Sequence, residues 1–402
     1  MNPPKGTHGF SSQGIRLVLL GLLALPLAGC RPHDFPVYPP NYREYAYVTN
    51  GESGTVTVLD VVNVRIDREM AVGQNPVAVV ASPTRNEVYV VNSGAPGTEG
   101  SLSVLNAQNN TVVATIRLRR QPVAIDLDAD GSLAYVANSG SSSVSVVDLK
   151  ARREVAQLPA GQGPVALRLS PDGKTLVVAN RSGNSATIID PATRTVRATF
   201  SGCPGASDAV VLPDSSKTFI ACSGGHQIMA IALAHPAANP TGSGLPAVAS
   251  QPDRIEALLD VGHGPVQLAL KPDGGELFAV NSLSGSISEM VTGTDDVGGA
   301  YLMGQNPIRG LVSRDNSMLY VSDFQSQYVT PYAIDDGRRL ASIHVGDGPS
   351  ALAFSASGYL LFAVDTRSDD VAVIRTGLGS LFTLLSTGRA PNAIAVKAFR
   401  LP

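Results

Sequence analysis

The 402-residue chain contains no tryptophan and only three cysteines. Repeat proteins signed by a Trp-Asp dipeptide are thereby excluded at the level of their motif, and three cysteines cannot build a disulfide scaffold. Charge is also scarce. Lys, Arg, Asp and Glu make up 16% of the residues and the formal net charge is −3, which gives no support to a general nucleic-acid binder, since such proteins are strongly basic. No segment sustains a 3.6-residue apolar period, so helices should be nearly absent. There is no Cys-x-x-Cys-His haem attachment, no Gly-x-Ser-x-Gly elbow and no phosphate-binding Gly-Lys-Ser/Thr loop. No specific Ser/His/Asp arrangement can be assembled, and neither a metal nor a cofactor is expected. What the chain does have is 44% hydrophobic residues, too many for a disordered polymer, together with 40 Gly and 28 Pro, which imply many turns.

The N-terminus carries one dense apolar run, Leu17 to Leu27, preceded by Lys5 and Arg16 and by no acid before Asp34. Eleven residues at a helical rise reach about 16 Å, short of the ~30 Å hydrocarbon core, so the run reads as a signal-peptide core and not a span. It ends in Leu27-Ala28-Gly29-Cys30, which resembles the lipobox of bacterial lipoproteins. That resemblance implies cleavage after residue 29 and acylation of Cys30, a membrane anchor. Arg31, and not Asp, follows the cysteine, which by the rule of enteric bacteria favours the outer membrane. Residues 30–44 hold four prolines and read as an extended tether.

From residue 45 to 402 the chain repeats itself. A short strand ends at Asn50, Asn92, Asn138, Asn180, Cys222, Asn281, Asp323 and Asp365, spaced 42, 46, 42, 42, 59, 42 and 42 residues apart. The longer intervals hold Gly/Pro-rich insertions near 95–100 and 234–251. Each period contains four strand-like runs, A to D, rich in Val, Ile and Tyr, and the turn from A to B is often Pro-Asp-Gly, as at 171–173 and 272–274. Four short antiparallel strands cannot bury both faces alone, but copies packed radially can. The first repeat lacks strand A, and the chain finishes with an orphan strand A, Pro391 to Phe399. The expected fold is therefore an all-β, eight-bladed β-propeller of four-stranded antiparallel blades, its ring closed by the C-terminal strand joining the N-terminal blade.

Tyr47-Val48-Thr49-Asn50, the Gly-x-x-Pro turns before strand A and the Pro-Asp-Gly turns after it resemble the YVTN-repeat β-propeller family over residues 45–399. Membership would imply a secreted or surface protein, with relatives described as binding or scaffold proteins. The leading expectation is a lipid-anchored, monomeric cell-envelope module that presents its top face to a protein or glycan partner. Related propellers include lactone hydrolases, so a lactonase-like hydrolase using the channel mouth is the first alternative. A single-stranded-DNA-binding propeller is the second. The acidic balance counts against that one, although Arg117, Arg119 and Arg120 form a local basic cluster.

Strand A of a propeller lines the central channel. Two residues after its first position it carries Ala78, Ala124, Ala166, Ala351 and Ala393, but Asp208, Gln267 and Arg309 in three consecutive blades. These three are candidates for a ligand site in which Arg309 clamps an anionic group while Asp208 and Gln267 orient it. Solvated channel lining is the bland alternative. Two residues deeper, Asp126 and Arg168 occupy equivalent positions in adjacent blades and are placed to pair. Cys203, in a D-to-A turn, and Cys222, at a B-strand end with residue 208 roughly opposite, are a disulfide candidate in an oxidising envelope, with two buried free thiols as the alternative. Together with His226 and His263 they fit no compact metal motif.

Overall fold

A computed structural model describes residues 35–234 and 251–401. The signal segment 1–29, Cys30 and most of the 234–251 insertion lie outside the described residues. The folded unit that holds the repeats begins at Tyr38.

Eight antiparallel sheets follow one another along the chain. In blade 3, for example, strands A to D are Pro122–Leu127, Leu133–Asn138, Ser143–Asp148 and Arg153–Pro159. Each strand A touches the strand A of the next blade all the way round, so the A strands form the wall of a central channel. Blade 1 is assembled from both chain ends. Its strand A is Pro391–Arg400 and its strand B is Tyr42–Asn50, paired from Tyr42↔Arg400 to Asn50↔Pro391. Strand B thus starts three residues before the expected boundary at 45. The reason is local: Glu44 is buried, accepts the Tyr42 hydroxyl at 2.6 Å and the amide of Ala356 in blade 8, and so ties the end of the tether into the ring. Two short 3₁₀ turns, Ser139–Ser141 and Thr376–Leu378, are the only helical elements among the described residues.

Strands B and C are covered on both faces, which explains why they read as near-continuous apolar runs instead of alternating ones. The core lies between blades. Tyr89, Val91, Leu102 and Val104 of blade 2 pack against Ile125, Ala134 and Val136 of blade 3, and Phe219, Ala221 and Ile228 of blade 5 pack against Leu268, Leu277 and Ala279 of blade 6. Each fully buried aromatic contributes roughly 1.5–3 kcal/mol. Strand D is the outer, largely exposed edge; in blade 7 it is broken into Arg338–Arg339 and Ile343–His344, opposite Pro331 of strand C, which has no amide hydrogen to donate to the ladder. The A-to-B turns behave as their sequence requires: Gly173 and Gly274 sit at φ +71° and +79°.

Candidate functional site

The D-to-A and B-to-C turns gather on one end of the ring, the top. Their design is set by the residue that ends strand B. In five blades this is Asn, and its Nδ2 donates to hydroxyls on strand C: Asn92 to Ser101 and Ser103, Asn180 to Ser185 and Thr187, Asn281 to Ser286 and Ser288, with Asn50 and Asn138 alike. Above the side chain lies the first residue of the D-to-A turn. A Cβ at Gly73 would sit 2.6 Å from Asn92, and one at Gly161 2.6 Å from Asn180. Glycine and asparagine therefore recur together because one occupies the space the other leaves.

Three blades depart from this lock. In blade 7 Asp323 accepts instead of donating, taking the amides of Gln305 at 2.6 Å and Asn306 at 2.9 Å. In blade 5 Cys203 and Cys222 form the expected disulfide, with Cα atoms 4.8 Å apart. The residue facing Cys222 across strands A and B is Ala206, not Asp208, which pairs with Ala221 after a bulge. In blade 8 the fully buried Asp365 accepts the Gly346 amide at 3.0 Å. The two carboxyls lie against each other. Burial, followed by the hydrogen bond and charge of Asp370, pushes the Asp365 carboxyl up to about 8. Burial likewise raises Asp370.

The channel candidates divide into two kinds. Asp208 is buried, and its Oδ2 accepts the backbone amide of Leu268 in the next blade at 3.1 Å. Gln267 does the same one blade on, its Oε1 accepting the amide of Gly310 at 2.7 Å. Asp126 accepts the amide of Leu169 at 2.8 Å as well as that of Leu127 at 3.0 Å. Burial raises its pKa, while Arg168 and these amides lower it. Acceptor side chains on strand A thus stitch neighbouring blades together. Arg168 lies near Asp126, but its ion pair is with Asp208, at 3.9 Å, so the expected Asp126–Arg168 pairing is a long-range attraction and the contact runs to the following blade. Arg309 donates no side-chain hydrogen bond among the described residues. Arg309 is exposed; desolvation lowers its pKa, Asp208 raises it and Arg168 lowers it again, so these three groups converge from blades 4, 5 and 7.

A second feature was not found by sequence reasoning. At the seam where blade 1 is closed by the C-terminal strand, the top face holds an open depression of ≈ 650 Å³ whose polar lining is Glu52, Ser53, Gln74, Asn75, Thr366 and Asn392. Asn392 and Thr366 are anchored, donating to the carbonyls of Pro76 and Pro391, while Glu52, Gln74 and Asn75 are exposed. Nothing in the repeat pattern marks these loop residues, because they are 300 residues apart until the ring closes. The basic cluster is partly neutralised, with Arg119 paired to Glu154 at 2.9 Å. No group of three or more His, Cys, Asp or Glu among the described residues is placed to hold a metal. The two cysteines are bonded to each other, and His226 and His263 stack edge to face at 5.5 Å.

These features define an eight-bladed β-propeller with a structured top face and a small-residue channel. Residues 119–231 match the YNCE-like beta-propeller family. An uncharacterized protein, YncE, of Salmonella typhi is 35% identical over 92 residues, which cover 23% of this chain and 25% of that one; the chain thus spans about a quarter of the length of the curated relative it matches. Among solved structures, the dihydro-heme d1 dehydrogenase NirN, in complex with DHE, aligns with a TM-score of 0.66 and 15% identity over 90% of this chain and 76% of its own. Apo AztD from Citrobacter koseri aligns with a TM-score of 0.63 and 12% identity over 89% and 98%. At these identities the likeness is one of fold.

Proposed function

We propose that this protein is a non-enzymatic binding module of the cell envelope, held to the membrane through lipid on Cys30, and that its top face recognises a hydroxyl-rich ligand, a glycan, at the seam depression. The observation that carries this reading is the lining itself. Two exposed carboxamides, Gln74 and Asn75, and one exposed carboxylate, Glu52, offer both donors and acceptors, the complement of vicinal hydroxyls. The hydrolase reading is less well supported, because the channel carboxylates Asp126 and Asp208 are each already held by a backbone amide. The single-stranded-DNA reading has no exposed aromatic platform in the seam to support it. Titrating residues 38–402 with envelope glycan fragments by calorimetry tests the proposal. Binding that falls about tenfold in Q74A/N75A supports it, and retained affinity in that variant removes it. Labelling cells with a palmitate analogue tests the anchor: label on the wild type and none on C30S is the expected result.

A further inference from the structure

The stitching of the channel wall follows one rule, and Arg309 breaks it. Wherever strand A carries an acceptor side chain facing the channel, that side chain takes an amide of the next blade: Asp126 takes Leu169, Asp208 takes Leu268 and Gln267 takes Gly310. Arg309 occupies the position of Asp208 and Gln267, each facing strand B two residues past the first pair of its blade. The amide it should take is that of Leu352, which has the same register in blade 8 as Leu268 has in blade 6. A guanidinium has five N–H donors and no acceptor. It therefore leaves the Leu352 amide without a side-chain acceptor and adds its own donors to it. Arg168, with 43% of its side chain exposed, brings a second guanidinium to Asp208 from the far side. The opposing charges are Asp208 and, beside Arg168, Asp126; both use oxygens on backbone amides.

We infer that the channel binds a small oxyanion, a carboxylate or a phosphate group, about 7 Å below the top face, held by the Arg309 guanidinium and the Leu352 amide with Arg168 as the second cation. Two permanently charged guanidiniums and an amide, with Asp208 already set against Arg168, favour an acceptor that carries negative charge over a neutral polar group. This site is separate from the seam depression, so the two can fail independently.

The test uses residues 38–402 as a folded ring. Inorganic phosphate and citrate are each titrated by calorimetry and followed by the rise in Tm, with chloride at matched ionic strength as control. Binding of phosphate alone, of citrate alone or of both supports the site and names the source of the oxyanion; binding of neither, or an equal rise in chloride, overturns it. The decisive variant is Arg309→Gln. By the rule of the wall, Gln at 309 accepts the Leu352 amide as Gln267 accepts Gly310, so R309Q should fold with an unchanged or higher Tm while its anion affinity falls about tenfold or more. R309K should retain part of the affinity, and R168Q should weaken it less. Wild-type affinity in R309Q overturns the proposal.

Discussion

Cys203 stands where six other blades carry glycine, at residues 73, 161, 262, 304, 346 and 388, and it is bonded to Cys222, which stands where five blades carry asparagine. The disulfide thus takes the place of the glycine–asparagine lock found in most of the other top turns. Its blade shows why the usual version fails there. Strand C of blade 5 offers Gln227 and Met229 where the five asparagine blades present a pair of hydroxyls, so an asparagine at 222 would be buried without that hydroxyl pair.

Reduction should therefore loosen blade 5 more than any other. For a loop of about 20 residues, loss of the cross-link is expected to cost ~3 kcal/mol in the chain-entropy model. A C203S/C222S variant should show this as a lower Tm that no longer responds to dithiothreitol. Restoring the repeat with C203G/C222N should not recover the loss, because the strand C hydroxyls are missing; full recovery would show that the hydroxyls do not matter.

Blade 8 predicts a pH dependence. The folded protein keeps a proton on Asp365 up to about pH 8, whereas an unhindered carboxyl releases it near 3.8. Stability from this group is complete in acid and is lost as pH climbs through that window, on the order of 5 kcal/mol by pH 8. Asp365→Asn, the residue most blades use, should flatten the decline. Thermal unfolding between pH 5 and 8.5 reads it directly, and a parallel decline in D365N would show that the acid pair is not its source.

The glycine lock predicts a steric penalty at exposed turns that composition alone would call tolerant. Gly73→Ala and Gly161→Ala each place a methyl 2.6 Å from an asparagine and should cost about 1–3 kcal/mol. Gly293→Ala, where a Cβ meets nothing within 4 Å, is the control and should be within about 0.5 kcal/mol of wild type. Urea denaturation of the three variants separates them.

Ring closure predicts the largest effect. Deleting residues 391–402 removes the whole of strand A in blade 1, including the Phe399 ring set against Tyr45, and exposes both blade 1 and the flanks of blades 8 and 2. The expected result is a loss of several kcal/mol together with aggregation through the open edge. Circular dichroism and light scattering would reveal it; a monomeric protein with an unchanged Tm would show that the last strand is dispensable.

The sequence by itself determined the architecture. A 42-residue period, four strand-like runs in each, a missing strand at one end and a spare one at the other leave one arrangement that buries every blade face. It also placed Cys203 and Cys222 on the same turns, since their positions in the repeat fix their positions in space. What the tertiary structure alone decided is which polar side chains are spoken for. Asp208, Gln267 and Arg309 look alike as departures from alanine, yet two are acceptors that close the gap to the next blade and the third, with only donors, faces the channel. The seam depression and the Asp365–Asp370 pair were equally hidden, because both depend on contacts between loops and on burial, and a repeat pattern encodes where each strand lies but not which atoms around it remain without a partner.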